Sequence, residues 1–374
     1  MAKPLLTAAL IVRDEESCLE DCLKSIGPVV DEIVVADTGS TDGSREIARR
    51  HGAAVFDFPW TDDFSAARNA GLERAHGNWI LYIDADERLR PISRQEVATL
   101  LSDEDVVAHR VRFHAVTGYT AYREFRIFRN DPRIRFARAM HETVVPAIRA
   151  IAAETGARIG DCALTLDHIG YDGDQIHKHR RNLGLLEKQL ALTPGEIYHW
   201  HHLGRVREAL GDEAGAVAAW TRALALSQAK IAKDDVACLP YIDLLRHGQQ
   251  KGLDVADLAA EAAALFPGNK LVNWIRARLA MDRGDFSGAV VILESLAAVD
   301  ADTYTDESMG YHRDIFEIDA YEALGICHFR LSDWKASANW FSRALACAPA
   351  RRDIEVRLAL ARARSENPRA IAAV

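Results

Sequence analysis

Cysteine is scarce in this chain: six among 374 residues, none in a C-x-x-C pair, which excludes a disulfide scaffold. Cys18 and Cys22 stand four apart on a predicted helix and read as buried free thiols rather than metal ligands. No apolar run reaches 18 residues, so no transmembrane segment is expected. Arg13, Asp14, Glu15 and Glu16 interrupt the first apolar stretch too early for a signal segment, which points to a cytoplasmic protein. There is no excess of basic charge. The formal net charge of −9 argues against a general nucleic-acid surface and predicts no nucleic-acid partner. No G-x-G-x-x-G opens the first helix, which speaks against a nicotinamide or flavin dinucleotide, and no G-x-x-x-x-G-K-[ST] occurs, which excludes a P-loop. His141-Glu142 is not the start of H-E-x-x-H, because Val145 holds the second histidine position, so a zincin is excluded as well.

What is present is a well-supplied core, with 49% hydrophobic residues, in a length that suits two domains. In the first half, apolar runs at 5–12, 31–36 and 53–58 alternate with helical patterns at about 19–26 and 45–51. This β-α-β-α-β rhythm with brief connections predicts a largely parallel sheet covered by helices. A further helical pattern covers 62–76, with Arg68 and Asn69 as polar exceptions in a row of small residues. W-I-L-Y-I-D-A-D-E at 79–87 reads as a core strand that ends in acid. Beyond it, 94–101 reads as a helix, and 106–114 and 125–128 as strands.

Ligands bind such sheets beyond the carboxyl ends of the strands. Three polar clusters fall there: Arg13–Glu16, the D-T-G-S-T-D-G-S turn at 37–44, and Asp84-Ala85-Asp86. Two carboxylates one residue apart can converge on a divalent cation that also binds a nucleotide diphosphate. Eight arginines between 110 and 138 form a basic field in an acidic chain, from which one or two are expected to hold phosphates. His141 and Glu142 each offer a general base. His168 has the donor type to complete the coordination of manganese, although an isolated histidine is more often structural.

From about residue 174 the period is helical throughout, with helices at 176–192, 197–210, 213–226, 236–247, 255–266, 271–283, 286–297, 315–331 and 334–347. Trp200, Leu203, Gly204, Ala216, Trp220 and Ala223 fit tetratricopeptide spacing. Tyr321, Leu324, Gly325, Phe341, Ala344 and Pro349 fit it again, and Gly284-Asp285 with Ala289 marks a middle copy. Such repeats present a curved surface, which suits an acceptor polypeptide, a homodimer contact or plain support of the first domain. His177, His179, His199, His201 and His202 are read as packing or solvated residues, because partners two apart diverge on a helix. The polar stretch 301–314 is expected to be a long exposed loop.

Taken together, D-T-G-S-T-D-G-S at 37–44, A-R-N-A-G-L at 67–72, W-I-L-Y-I-D-A-D-E at 79–87, F-R-I-F-R at 125–129 and M-H-E-T-V at 140–144 resemble the family-2 glycosyltransferases. More narrowly they resemble bacterial members that share R-D-E-E at 13–16 and the H-E pair at 141–142. The resemblance implies a GT-A-type, mostly parallel α/β domain with helices on both faces at 1–175, followed by an all-α tetratricopeptide-like repeat domain at 176–374. This plan is similar to that of bacterial peptide S-glycosyltransferases.

By this resemblance the protein is an inverting, metal-dependent glycosyltransferase using a nucleotide-diphosphate sugar, UDP-linked first, with Mn2+ or Mg2+. Asp86, His168 and Asp84 are implied at the metal, with Asp84 nearer the ribose or a metal-bound water. Arg13, Glu15, Asp37, Ser40, Arg68, Asp84, Ala85 and Arg126 are implied at the donor. Glu142 is implied as the base, with His141 as its substitute. The common D-D-G-S turn reads Asp37-Thr38-Gly39-Ser40 here, which leaves Asp37 to act alone. The implied acceptor is a peptide or protein side chain. Alternatives are a cell-envelope glycan or lipid-linked sugar, with peripheral attachment at the inner membrane, and a non-catalytic helical-repeat interaction protein.

Overall fold

A computed structural model describes residues 5–115, 118–170, 176–230 and 235–367. The chain divides into two compact units, Met1–Pro194 with Thr305–Gly310, and Gly195–Tyr304 with Tyr311–Val374. No helix among the described residues is long and apolar enough to cross a membrane.

The first unit is built on one sheet whose strands, in chain order, are β1 (Leu6–Val12), β2 (Glu32–Asp37), β3 (Ala54–Asp57), β4 (Trp79–Tyr82), β5 (Glu87–Leu89), β6 (Val106–Ala115), β7 (Ala121–Arg129), β8 (Arg158–His168) and β9 (Thr305–Asp306). Across the sheet they run β3-β2-β1-β4-β7-β6-β8-β5, with β9 beside β7. Neighbours in the first four strands are parallel, as the β-α-β rhythm predicts, and β7 then turns antiparallel to both β4 and β6. Strand β8 lies parallel to β6 and antiparallel to β5, and β9 parallel to β7, so parallel pairings prevail in a mixed sheet.

Alternation along β1 sends Leu6, Ala8, Leu10 and Val12 to one face and Ala9 to the other. The first face is covered by α1 (Leu19–Ile26), α2 (Ser44–Arg50) and α4 (Arg94–Leu100) through Leu19, Leu23, Ile26, Ile47 and Val97. The second is covered by α3 (Phe64–Leu72) and α5 (Val145–Thr155) through Leu72, Ile148 and Ile151. Helices therefore sit on both faces, and the acidic strand ends lie along one edge.

Strand β8 and helix α5 carry little local signal in the sequence. Cys162, Leu164 and Leu166 do alternate, and all three are buried in β8. The surrounding Arg158, Gly160, Asp161 and Asp167 dilute that signal. The first unit also keeps α6 (Ile176–Leu192), where the helical period begins. Lys188 pairs with Asp62, Gln189 accepts from the Ala139 amide, and Leu185, Leu186 and Leu190 are buried, so the compact units part at Pro194 rather than at 175.

The stretch at 301–314 differs from its expectation. Thr305–Asp306 is strand β9, held by Arg112 Nε to Thr305 Oγ1 (2.9 Å) and Arg110 Nη1 to Glu307 Oε2 (2.7 Å). Ala301 and Tyr311 are buried. Long-range pairing, invisible locally, turns a polar loop into sheet.

The second unit is all helical apart from connections: α7 (Ile197–Ala209), α8 (Glu213–Ala229), α9 (Asp235–Lys251), α10 (Ala256–Leu265), α11 (Lys270–Asp282), α12 (Phe286–Ala297), α13 (Ile318–Arg330), α14 (Trp334–Cys347) and α15 (Arg352–Glu366). Three turns share one device. Gly211, Gly284 and Ser332 take positive φ, and the next residue, Asp212, Asp285 or Asp333, caps the following helix. Inside each pair the sizes trade. Gly204 faces Trp220, Gly325 faces Phe341, and at the same register Ala277 shares a cluster with the smaller Leu293. His199 and His201 are buried on α7, with His201 against Asp243, as packing roles predict, and the His177 side chain lies outside the described residues.

Candidate active site

Asp37 ends β2, where its backbone pairs with Val12 and with Asp57 of the neighbouring strands. Its Oδ1 accepts from the amides of Gly39 and Ser40, both at 3.0 Å, and from Arg45 Nε (2.9 Å) and Nη2 (2.7 Å). The turn is possible because Gly39 takes φ +110, a region that side chains disfavour. Burial by itself would raise the Asp37 carboxyl, but the bonds from Arg45, Ser40 and Gly39 outweigh it and hold the group below its ordinary value. Its Oδ2 is buried without a hydrogen-bond partner, an acceptor available to a ligand N–H or O–H.

The loop after β1 is knitted to this turn. The Asp14 amide donates to Ser40 Oγ (3.1 Å) and the Glu15 amide to Ser44 Oγ (2.8 Å), while Asp14 Oδ1 accepts from the Thr41 amide (2.7 Å). Glu16 Oε2 accepts from the Gly43 amide at 3.0 Å, and a Cβ at Gly43 would stand 2.8 Å from Glu16 Oε1 and displace that carboxylate. Arg13 is exposed, 3.9 Å from Asp14. The Glu15 carboxyl is raised, first by burial and then by the neighbouring Asp86 and Asp84 charges, against a bond from the Cys18 thiol. The first two clusters thus form one structure, and Glu15 connects it electrostatically to the third.

At the end of β4, Asp84 lies between two buried guanidiniums. Arg68 Nη2 is 2.8 Å from Asp84 Oδ1, and Arg126 Nη1 is 3.8 Å from Oδ2. Burial would push Asp84 up; the two arginines prevail and lower it. Both cations also stand over the Tyr82 ring, at 5.0 and 4.5 Å from its centroid. Arg126 is further tied to Glu87 Oε1 (2.7 Å) and Glu124 Oε2 (2.9 Å). Glu87 is pushed up to about 8 by burial, in spite of that partner. Ala85 packs its methyl into the core and gives its carbonyl to Arg88 Nη1 (2.8 Å), so its side chain does not join the site.

Two residues beyond Asp84, Asp86 Oδ2 is 3.1 Å from His168 Nε2. The hydrogen bond with Asp86 raises the His168 pKa despite partial burial. The His168 ring also lies against Phe113, with centroids 5.8 Å apart. No group of three His, Cys, Asp or Glu side chains placed to hold a metal occurs among the described residues. Asp84 is drawn to Arg68 and Arg126 instead of joining Asp86 and His168. An oxygen and a nitrogen donor side by side fit an ion that keeps most of its coordination sphere in phosphate oxygens and water.

On the other side of Arg68 is Glu142, with Nε to Oε1 at 2.6 Å. Glu142 and His141 belong to a short loop closed by reciprocal Ala137–Thr143 backbone bonds of 3.0 Å, in which Arg138 and His141 take positive φ. The loop therefore delivers Glu142, rather than His141, to the guanidinium. Of the arginine cluster, Arg126 alone is drawn to Asp84. Arg110 pairs with Asp161 and Glu307, Arg133 with Asp131, and Arg129 with the Val106 and Asp103 carbonyls. Sequence reasoning missed Arg45, Tyr82, Glu87, Glu124 and Asn69 as members of this site; alternation along 121–129 would have placed Glu124 and Arg126 on one face.

Residues 7–152 match the family described as glycosyl transferase family 2. The chain contains a family-2 glycosyltransferase domain. Its fold is the mixed GT-A-like sheet described above, and the helical repeats follow it. Among curated relatives, the chain is 37% identical over 214 residues to a TPR repeat-containing protein of Synechococcus elongatus, which is 55% of this chain and 53% of that protein. It is 27% identical over 231 residues to the SPbeta prophage-derived glycosyltransferase SunS of Bacillus subtilis, 57% of this chain and 52% of that one. It is 31% identical over 177 residues to the lipopolysaccharide core biosynthesis glycosyltransferase LpsC of Rhizobium meliloti, covering 43% and 65%. The chain thus spans about half the length of the first two relatives. Among solved structures, glucosyl-3-phosphoglycerate synthase from Mycobacterium tuberculosis, in complex with Mn2+, UDP and glucosyl-3-phosphoglycerate, is 18% identical. That match covers 50% of this chain and 80% of the other, with a TM-score of 0.36.

Proposed function

We propose that the family-2 domain is an inverting, metal-dependent glycosyltransferase that moves a sugar from a UDP-sugar to a polypeptide acceptor. The observation that carries this reading is the single cation Arg68 joining Asp84, at the donor edge, to Glu142. In this reading the unpartnered Asp37 Oδ2 takes a ribose hydroxyl or base N–H, within the loop that Glu15 and Ser40 help to shape, and the exposed Arg13 is left to reach the donor's phosphates. Asp86 and His168 would hold Mn2+ or Mg2+, which supplies charge neutralisation on the departing diphosphate when bound. Asp84 faces the ribose side. Arg68 and Arg126 add fixed positive charge where the leaving group gains negative charge. Glu142 takes the proton of the acceptor nucleophile as that atom attacks the anomeric carbon from the face opposite the diphosphate, inverting the centre.

The repeat unit supports a polypeptide acceptor, because stacked helix pairs offer an extended concave face. The likeness to LpsC favours a second reading, a cell-envelope glycan acceptor. A hydrolysis screen of UDP-, GDP- and dTDP-sugars with manganese or magnesium tests the donor without the acceptor. UDP release from one sugar, abolished by chelation, is the expected result; no release from any of them would overturn the reading. Transfer to lipid-linked glycans but not to polypeptides would replace the first acceptor with the second.

A further inference from the structure

The Glu142 loop is closed by the Ala137–Thr143 backbone bonds, yet its conformation is strained between them. Between Ala137 and Thr143 it places two non-glycine residues in the left-handed region, Arg138 at φ +80 and His141 at φ +54. A segment of this kind keeps one shape only when its surroundings impose it. Helix α6 contributes Gln189 Oε1, which accepts from the Ala139 amide (3.2 Å), and helix α3 contributes a row of contacts. Asn69 Oδ1 accepts from the Phe136 amide (2.8 Å) and Asn69 Nδ2 donates to the Phe136 carbonyl (2.9 Å). Ser65 Oγ donates to the Arg138 carbonyl at 2.5 Å, and the Phe64 amide donates to the Ala139 carbonyl at 2.9 Å. Arg68, on the same helix, then meets Glu142 itself.

The Asn69 side chain therefore acts on Phe136 as a neighbouring strand would, exchanging one donor and one acceptor with a single residue. Phe136 is a fixed base for that contact: it is buried and its ring lies edge-on to Tyr82, with centroids 5.1 Å apart. Tyr82 in turn carries Arg68 and Arg126. The clamp links the entry of the Glu142 loop to the aromatic floor beneath both arginines.

We propose that Asn69 is a positioning residue, whose two-point clamp on Phe136 holds the 137–143 loop so that the Glu142 carboxylate stays in register with Arg68. The proposal rests on the reading of Glu142 as the base. Asparagine suits the role because aspartate lacks the donor and alanine lacks both groups.

The test compares Asn69→Ala and Asn69→Asp with the full-length wild type, using hydrolysis of the best donor from the sugar screen, calorimetric binding of UDP with manganese, and amide exchange. The expected result is a fall in kcat of about ten- to a hundredfold, the range set by a displaced general base. The Kd for UDP should stay within twofold, and exchange at the Phe136 and Thr143 amides should accelerate. In the Glu142→Gln background, Asn69→Ala should cost less than twofold more, because the group it positions is already gone. Should Asn69→Ala not fold, Asn69→Asp keeps the side-chain volume and the acceptor for the Phe136 amide, so kcat, UDP binding and exchange at Thr143 are its readouts. A full additional loss in the double variant, or unchanged exchange at Phe136 and Thr143 in a slowed enzyme, would overturn the positioning role alone. Wild-type protein that hydrolyses no nucleotide sugar overturns the transferase reading, and the proposal with it.

Discussion

Arg68 Nε and Glu142 Oε1 lie 2.6 Å apart, while the other end of the same guanidinium reaches Asp84 Oδ1 at 2.8 Å. One buried cation thus offsets two carboxylates from different parts of the chain. Its removal leaves both without that partner, Glu142 largely buried and Asp84 partly open to solvent. Breaking a buried ion pair from one side typically costs about 3–5 kcal/mol. Arg68→Met is expected to destabilise the first unit toward the lower end of that range, because Asp84 is partly solvated, as measured by urea unfolding. Adding Glu142→Gln should recover part of the loss, because one of the stranded charges is then neutral; a purely additive double variant would show that the pair is not coupled.

Asp86 is partly exposed and touches His168 without supporting the core. Asp86→Ala should therefore leave melting behaviour near wild type while weakening manganese-dependent UDP binding by well over the 10–100-fold that loss of an outer-shell partner costs. Calorimetry with manganese and again with chelator measures the difference. Equal manganese enhancement in variant and wild type would place the ion elsewhere.

In the repeats, a Cβ on Gly204 would lie 2.2 Å from Trp220 Nε1. The Trp220 ring is fully buried and cannot retreat. Gly204→Ala is expected to cost about 1–3 kcal/mol, the usual range for overpacking. Pairing it with Trp220→Leu imitates Ala277 with Leu293 and should restore part of the stability in a denaturant titration. If the double variant is worse than either single one, the size exchange is not the reason for glycine at 204.

The Asp37 carboxyl is held below its ordinary value in the folded protein, chiefly because Arg45 and the turn amides overcome the effect of burial. A group depressed on folding adds stability above its unfolded value, near 3.9 for aspartate, and loses it as pH falls through the folded value. Asp37→Asn has no such proton to take up. Its stability should therefore fall less steeply than wild type below about pH 4. Urea midpoints taken between neutral and acid pH follow this directly, and parallel acid limbs would exclude Asp37 as a contributor.

The local patterns that organise this protein were readable along the chain. Apolar period and turn chemistry placed β1 to β4 with their helices, because β1, β2 and β4 are buried on both faces and stand out as apolar runs. The same logic put Asp37, Asp84 and Asp86 at strand ends, and repeat spacing located Gly204 and Gly325. Tertiary structure alone decided what those groups touch. Arg68 and Glu142 are 74 residues apart and meet only because α3 packs beside the 137–143 loop. Asp86 and His168 meet because β8, weakly marked by its alternation, brings its last residue beside the first of β5. Partner choice among arginines is a matter of distance in space: Arg110 finds Asp161 and Arg126 finds Asp84 from strands that look alike in sequence. Periodicity selects which face a side chain takes; long-range packing selects which charge it meets there, and that second choice made an acidic strand end into a site.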